Sequence, residues 1–119
     1  MPVSSVEDSL RRLLEVPGVK GAALVDAVTG LTYGESGTGE MDAAECSRLA
    51  AFVSDRLHLA GAQGELESMV ITGSRRQLVL RALPRQGDPL LLMAALDRDQ
   101  TNLALVLRQL DLYAAKAAG

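Results

Sequence analysis

Tryptophan is absent from this 119-residue chain, phenylalanine, histidine and cysteine occur once each, and proline four times. Each scarcity excludes something. A lone Cys46 cannot close an internal disulfide, and Cys46 with His58 cannot supply a closed zinc site. Aromatic residues make up 3% of the chain against 48% hydrophobic, so the core has to be built from Leu, Val, Ile, Met and Ala. That composition argues against a small-ligand pocket, which usually leans on aromatic walls. Charge is nearly balanced, at −3 from 12 basic and 15 acidic residues. This leaves no electrostatic footprint for nucleic acid and no basic amphipathic face for a membrane surface. No run reaches the roughly 18 apolar residues that a membrane span needs. Met1 to Asp8 is polar and does not read as a signal peptide. The unpaired cysteine fits a reducing compartment, so a cytoplasmic location is expected. The length predicts one domain over residues 1–119, with a core of about 6–113 and a frayed tail at 114–119. Such a domain can bury a core without metal or disulfide.

The apolar residues that are present fall into alternating patterns. Ser4 and Glu7 have capping-box spacing, and Val6, Leu10, Leu13 and Leu14 recur at helical intervals, predicting a first helix that Pro17-Gly18 ends. Val19 to Asp26 reads as a strand whose unbroken apolarity suggests cover on both faces. Thr29-Gly30 turns it back into a second strand from Leu31 to Gly34 or Glu35, and Gly34 to Glu40 reads as a flexible loop. A long helix is predicted from Met41 to Ala60, with Asp42 as its cap and Cys46, Leu49, Ala50, Val53, Leu57 and Ala60 in one stripe; Gly61 to Gly64 ends it. Phe52 and Leu59 lie off the stripe. Three strands follow, at about Glu67–Thr72, Arg75–Leu83 and Pro89–Leu96, with Gly73-Ser74 as a II′ turn and Arg85 to Asp88 as the next turn. Asp97 or Asp99 is the expected cap of a last helix running to about Lys116. The expected fold class is α/β of the α+β type: a five-stranded antiparallel sheet with helices on both faces, ordered α-β-β-α-β-β-β-α.

The chain resembles the Roadblock (dynein light-chain) domain family, in particular bacterial members associated with small GTPases. The resemblance rests on V-P-G-V-K-G-A-A-L-V-D (Val16–Asp26) with its Thr29-Gly30 turn, on L-D-R-D-Q-T-N-L-A-L (Leu96–Leu105), and on the order of elements between Val6 and Tyr113. It implies a longin- or profilin-like fold and a non-enzymatic protein that holds partners. It also implies a homodimer with a continuous ten-stranded sheet, formed where the third strand pairs with its copy beside the second helices. The expected partners are a second copy of the chain, a Ras-like small GTPase whose nucleotide cycle or location is modulated, and a sensor kinase-like protein. A purely structural assembly module without nucleotide dependence is the alternative. No cofactor, nucleic acid or membrane insertion is expected.

The residues offer little competing chemistry. Cys46 and His58 are the obvious nucleophile and base, but on one helix they stand about 18 Å apart along the axis, far beyond hydrogen-bond reach. Asp42, Glu45, Asp97 and Asp99 sit at predicted helix starts, where capping accounts for them. The loop G-E-S-G-T-G-E precedes a helix but lacks the Lys-Ser/Thr pair of a phosphate loop, and Glu35 and Glu40 would repel phosphate. Arg75, Arg76 and Arg81 make a modest basic patch that an acidic partner could use, although a solvated strand face accounts for it more simply. Arg48 and Arg56, conceivable arginine fingers, lie on the polar flank of the second helix. The surplus is apolar: Leu49, Phe52, Val53, Leu57 and Leu59 on the second helix, with Met69, Val70 and Ile71 on the third strand. An ordinary intramolecular core would account for part of it; the resemblance implies that Leu49, Phe52, Val53, Leu57, Met69, Val70 and Ile71 form the dimer interface.

Overall fold

The computed structural model describes residues 3–37, 42–61, 66–83 and 89–118. The elements are α1 (Val3–Leu14), β1 (Val19–Asp26), β2 (Thr32–Gly37), α2 (Ala43–Leu59), β3 (Ser68–Thr72), β4 (Arg76–Leu83), β5 (Leu90–Asp97) and α3 (Leu103–Ala118). The strands form one sheet in the order β2-β1-β5-β4-β3, and every neighbouring pair is antiparallel. The expected fold class and element order are those observed.

Because successive strand residues point to opposite faces, the sheet separates two apolar clusters. On one face Ala22, Leu24, Val79, Leu83, Leu92, Ala94 and Leu96 meet Leu10 and Leu13 of α1 and Val106, Leu110 and Tyr113 of α3. On the other, Ala23, Val25, Leu80 and Leu91 meet the buried Cys46 and Ala50 of α2, with Ala43 of the same helix and Leu66 ahead of β3 packed partly buried against them.

Several local expectations are corrected. Helix α1 begins at Val3, so Ser4 lies inside it rather than at its cap. Strand β2 runs on to Gly37, into the segment expected to be a loop, because Gly34 pairs with Leu24 and Gly37 with Gly21. The glycines serve close approach: Gly37 sits at φ +76°, where a Cβ would strike the Lys20 carbonyl and crowd Leu14. The β1–β2 turn is held by Asp26, whose carboxylate accepts from the Val28 and Thr29 N–H groups at 2.8 and 2.9 Å.

The cap of α3 is Asn102, not Asp97 or Asp99. Its side chain accepts from the N–H groups of Ala104 and Leu105 at 3.0 and 3.4 Å. Asp97 is still strand, paired with Arg76, and its carboxylate accepts from the Asp99 N–H in the turn that follows. The Gly73-Ser74 II′ turn is also replaced. Gly73 has no positive φ; it opposes Arg76, to whose carbonyl its N–H donates at 2.8 Å, which moves the turn on to Ser74-Arg75. Arg98 braces that turn, its N–H donating to the Arg75 carbonyl and its Nη1 to the Gly73 carbonyl. Asp42 does cap α2, accepting from the Ala44 N–H at 2.7 Å. The turns expected at Ala62–Gly64 and Arg85–Asp88 lie outside the described residues, as does the end of the Gly34–Glu40 segment beyond Gly37.

Candidate interaction surface

The two helices α1 and α3 close one face of the sheet, whereas α2 is the one helix among the described residues over the other, where Leu66 also packs. A Cβ on Gly30 would lie 3.0 Å from the Ala44 Cα and 3.4 Å from the Ser47 Oγ, so that flank of α2 stands against the β1–β2 hairpin. By the 3.6-residue period, Leu49 and Val53 lie on the opposite flank, towards β4 and β3, and both are half-buried. Leu57 shares the sheet-facing side with Cys46 and Ala50 yet remains 38% exposed. Leu57 is thus incompletely covered within the chain, about two to three turns beyond the buried Cys46, Ser47 and Ala50 of the same helix.

Several strand residues on the same face are also incompletely covered. Met69, Leu78, Ala82 and Met93 only partly bury against the α2 cluster, and Ile71 is 37% exposed. Met69 opposes Leu80 and Ile71 opposes Leu78, so these four form an apolar strip that runs out to β3. Strand β3 is the last strand of the sheet, with no neighbour on its outer side. The strip therefore ends at an open row of backbone donors and acceptors.

The predicted interface residues do not all converge. Leu49, Val53, Leu57, Met69 and Ile71 share the α2 face. Val70 belongs to the opposite face, across from Val79, and is 41% exposed. Phe52 lies on the side of α2 turned away from the sheet, 57% exposed, with the Arg56 guanidinium 4.9 Å above its ring. Leu78 and Met93 were missed. Both lie in runs, Leu78–Leu80 and Leu90–Leu96, that are apolar in succession, so no sequence signal marks which face is thinly covered.

The remaining candidates resolve into structural roles. Cys46 is fully buried, and burial, helped by the charges of Glu45 and Asp42, pushes its thiol up to about 11. A thiol in that state is a poor nucleophile. His58 is exposed on the same helix. The Arg75–Arg76–Arg81 patch is not one patch: Arg76 lies 3.9 Å from Asp97, whereas Arg81 is on the other face, its Nε 3.5 Å from Asp111 and its Nη1 donating to the Glu67 carbonyl. Arg48 and Arg56 are exposed. Among the described residues no three His, Cys, Asp or Glu side chains gather as metal ligands, and no helix is long and apolar enough to cross a membrane.

No protein-family model matches the sequence, and no curated protein matches it. Solved structures do. A Roadblock/LC7 domain from Streptomyces avermitilis superposes with a TM-score of 0.77 at 15% identity, over 94% of this chain and 93% of that one. The gliding protein mglB from Thermus thermophilus gives 0.73 at 20% identity, over 92% and 82%. MglB from Myxococcus xanthus gives 0.78 at 17% identity, over 98% and 86%. The chain has the Roadblock/LC7 fold.

Proposed function

We propose that this protein is a non-enzymatic homodimeric adaptor that binds a Ras-like small GTPase and modulates its nucleotide cycle or its location in the cytoplasm. The observation that carries the reading is the continuity of the uncovered strip under α2 with the open edge of β3. A monomer leaves Leu57, Met69, Ile71 and Leu78 partly in water; a two-fold copy joined along β3 would cover them from both sides. The fold shared with the gliding protein mglB, together with the resemblance to GTPase-associated Roadblock proteins, supports the choice of partner, with a sensor kinase-like protein as a second candidate.

Any effect on GTP hydrolysis is indirect in this proposal: a rigid dimer surface holds the switch elements of the GTPase in a competent arrangement. The test is affinity capture from native extract with GDP and, in parallel, a non-hydrolysable GTP analogue. Retention of a small GTPase in one nucleotide state is the expected outcome, and changing Arg48 and Arg56 to Ala should leave any stimulation of hydrolysis in place. Equal retention of partners in both states would instead make the protein a passive assembly module.

A further inference from the structure

The backbone hydrogen bonds at the two ends of the β3–β4 hairpin determine which way every residue of β3 faces. The Gly73 N–H donates to the Arg76 carbonyl, and the Ala82 N–H donates to the Glu67 carbonyl, both at 2.8 Å. In an antiparallel ladder, hydrogen-bonded and non-bonded pairs alternate. With Glu67/Ala82 and Gly73/Arg76 both bonded, Met69/Leu80 and Ile71/Leu78 are the bonded pairs between them. Met69 and Ile71 therefore spend their N–H and C=O groups on β4. Ser68, Val70 and Thr72 turn theirs outward, to the free edge.

This alternation restricts how a second copy can add to β3. Outward-turned residues must meet outward-turned residues, so a two-fold axis has to pass through a residue and not between two. An axis at Val70 matches Ser68 with Thr72, Val70 with Val70 and Thr72 with Ser68 of the second copy: three bonded pairs and six hydrogen bonds within Ser68–Thr72. An axis at Met69 or Ile71 leaves two such pairs and four bonds.

Charge favours the same antiparallel arrangement. Glu67 precedes β3 and Arg75 follows it. With the axis at Val70, Glu67 opposes Gly73 of the second copy, beside the turn that carries Arg75. A parallel pairing would set Glu67 against Glu67 and the arginines against each other. The side chains agree too, because Met69 opposes Ile71 of the second copy on the α2 face, which extends the apolar strip without a break.

We propose that the occupant of the β3 edge is a second copy of this chain in one register, antiparallel with Val70 on the two-fold axis. The inference rests on the homodimer put forward above and specifies its geometry. Cysteine cross-linking reads that register directly. Directly opposed bonded residues have Cα atoms about 5.5 Å apart, within the span of a disulfide, and the native Cys46 is buried out of reach.

The variants are Met69→Cys, Val70→Cys and Ile71→Cys, each oxidised with a copper–phenanthroline catalyst and resolved without reductant. Val70→Cys should form a covalent dimer at least about ten-fold faster than either neighbour alone. A mixture of Met69→Cys and Ile71→Cys should form the mixed cross-link, although neither forms its own. Self-cross-linking of Met69→Cys or Ile71→Cys in place of Val70→Cys would overturn the register while leaving the dimer intact. So would the absence of all cross-links in a chain that light scattering shows to be a dimer. A wild-type chain that scatters as a monomer at about 50 µM would remove the dimer itself and the register with it.

Discussion

The two faces of the sheet are built from the same strands and differ in what covers them. On the α1/α3 side, Leu92, Ala94 and Leu96 of β5 are buried beneath two helices, with Leu10, Val106 and Leu110 fully enclosed. On the α2 side the adjacent β5 residues are Leu91, Met93 and Ala95, and the helix above offers only Cys46, Ser47 and Ala50 as buried residues. One face is a closed core of interlocked leucines and valines. The other is thinner, with small residues on the buried side of the helix, Met93 and Leu78 only partly buried, and Ile71 37% exposed. In the proposed reading the contrast separates two tasks: the closed face holds the monomer together, and the less covered face supplies surface for a second copy to complete.

The largest effect that tests this contrast comes from two adjacent residues on one strand. Leu92→Ala empties a site that is fully enclosed and should cost about 2–5 kcal/mol in chemical denaturation, in the range for buried leucines. Met93→Ala removes a similar volume from the half-covered face. At low protein concentration, where no partner copy contributes, its cost should be about 1 kcal/mol. The Met93→Ala penalty should then rise with protein concentration, because association stabilises the folded state by mass action. A Met93→Ala penalty equal to that of Leu92→Ala and independent of concentration would show that both faces are complete in the monomer.

The same pair of residues shows how far the sequence could be read. The order of elements was legible because apolar runs of strand length alternate with helical stripes, and Pro17-Gly18, Gly30 and Gly61 punctuate them. The surplus of apolar residues on the second helix and third strand was legible as well, whereas the edge position of β3 came only with the family resemblance. The imbalance between faces was not. Leu91, Leu92, Met93 and Ala94 are apolar in succession, so alternation, the usual sign of one wet face, is missing. The buried residues of α2, Cys46, Ser47 and Ala50, are small, and only the structure reveals that the larger Leu57 on the same side stays 38% exposed. Gly34 and Gly37 read as loop because glycine is common in turns, whereas here both are paired strand and Gly37 lets β2 run close to the Lys20 carbonyl and Leu14. Asp97, Asp99 and Asn102 are all good caps in sequence; the pairing of Asp97 with Arg76 settles that the strand reaches residue 97 and the cap falls to Asn102.

Removing one cap from each side gives a smaller and more discriminating test. Asn102→Ala and Asp42→Ala each delete a side-chain oxygen that accepts from helix N–H groups, and each should cost about 1 kcal/mol. They should differ in what they expose. Cys46 lies one turn into α2, buried, with its thiol held up at about 11 against an ordinary 9.0. The folded protein thus keeps a proton that the unfolded chain loses above pH 9. Cys46 contributes no pH dependence below that value, and its burial makes stability fall as pH rises from 9 towards 11. At pH 8 a disulfide reagent should reach this thiol only through opening of α2.

Asp42→Ala loosens the turn directly above Cys46 and should raise the labelling rate several-fold, whereas Asn102→Ala loosens α3 on the far side of the sheet and should leave it near the wild-type value. Equal acceleration by both variants would mean that the thiol is exposed only by global unfolding. The two faces would then open as a single cooperative unit, and the thin cover of α2 would be as firmly held as the closed core beneath α1 and α3.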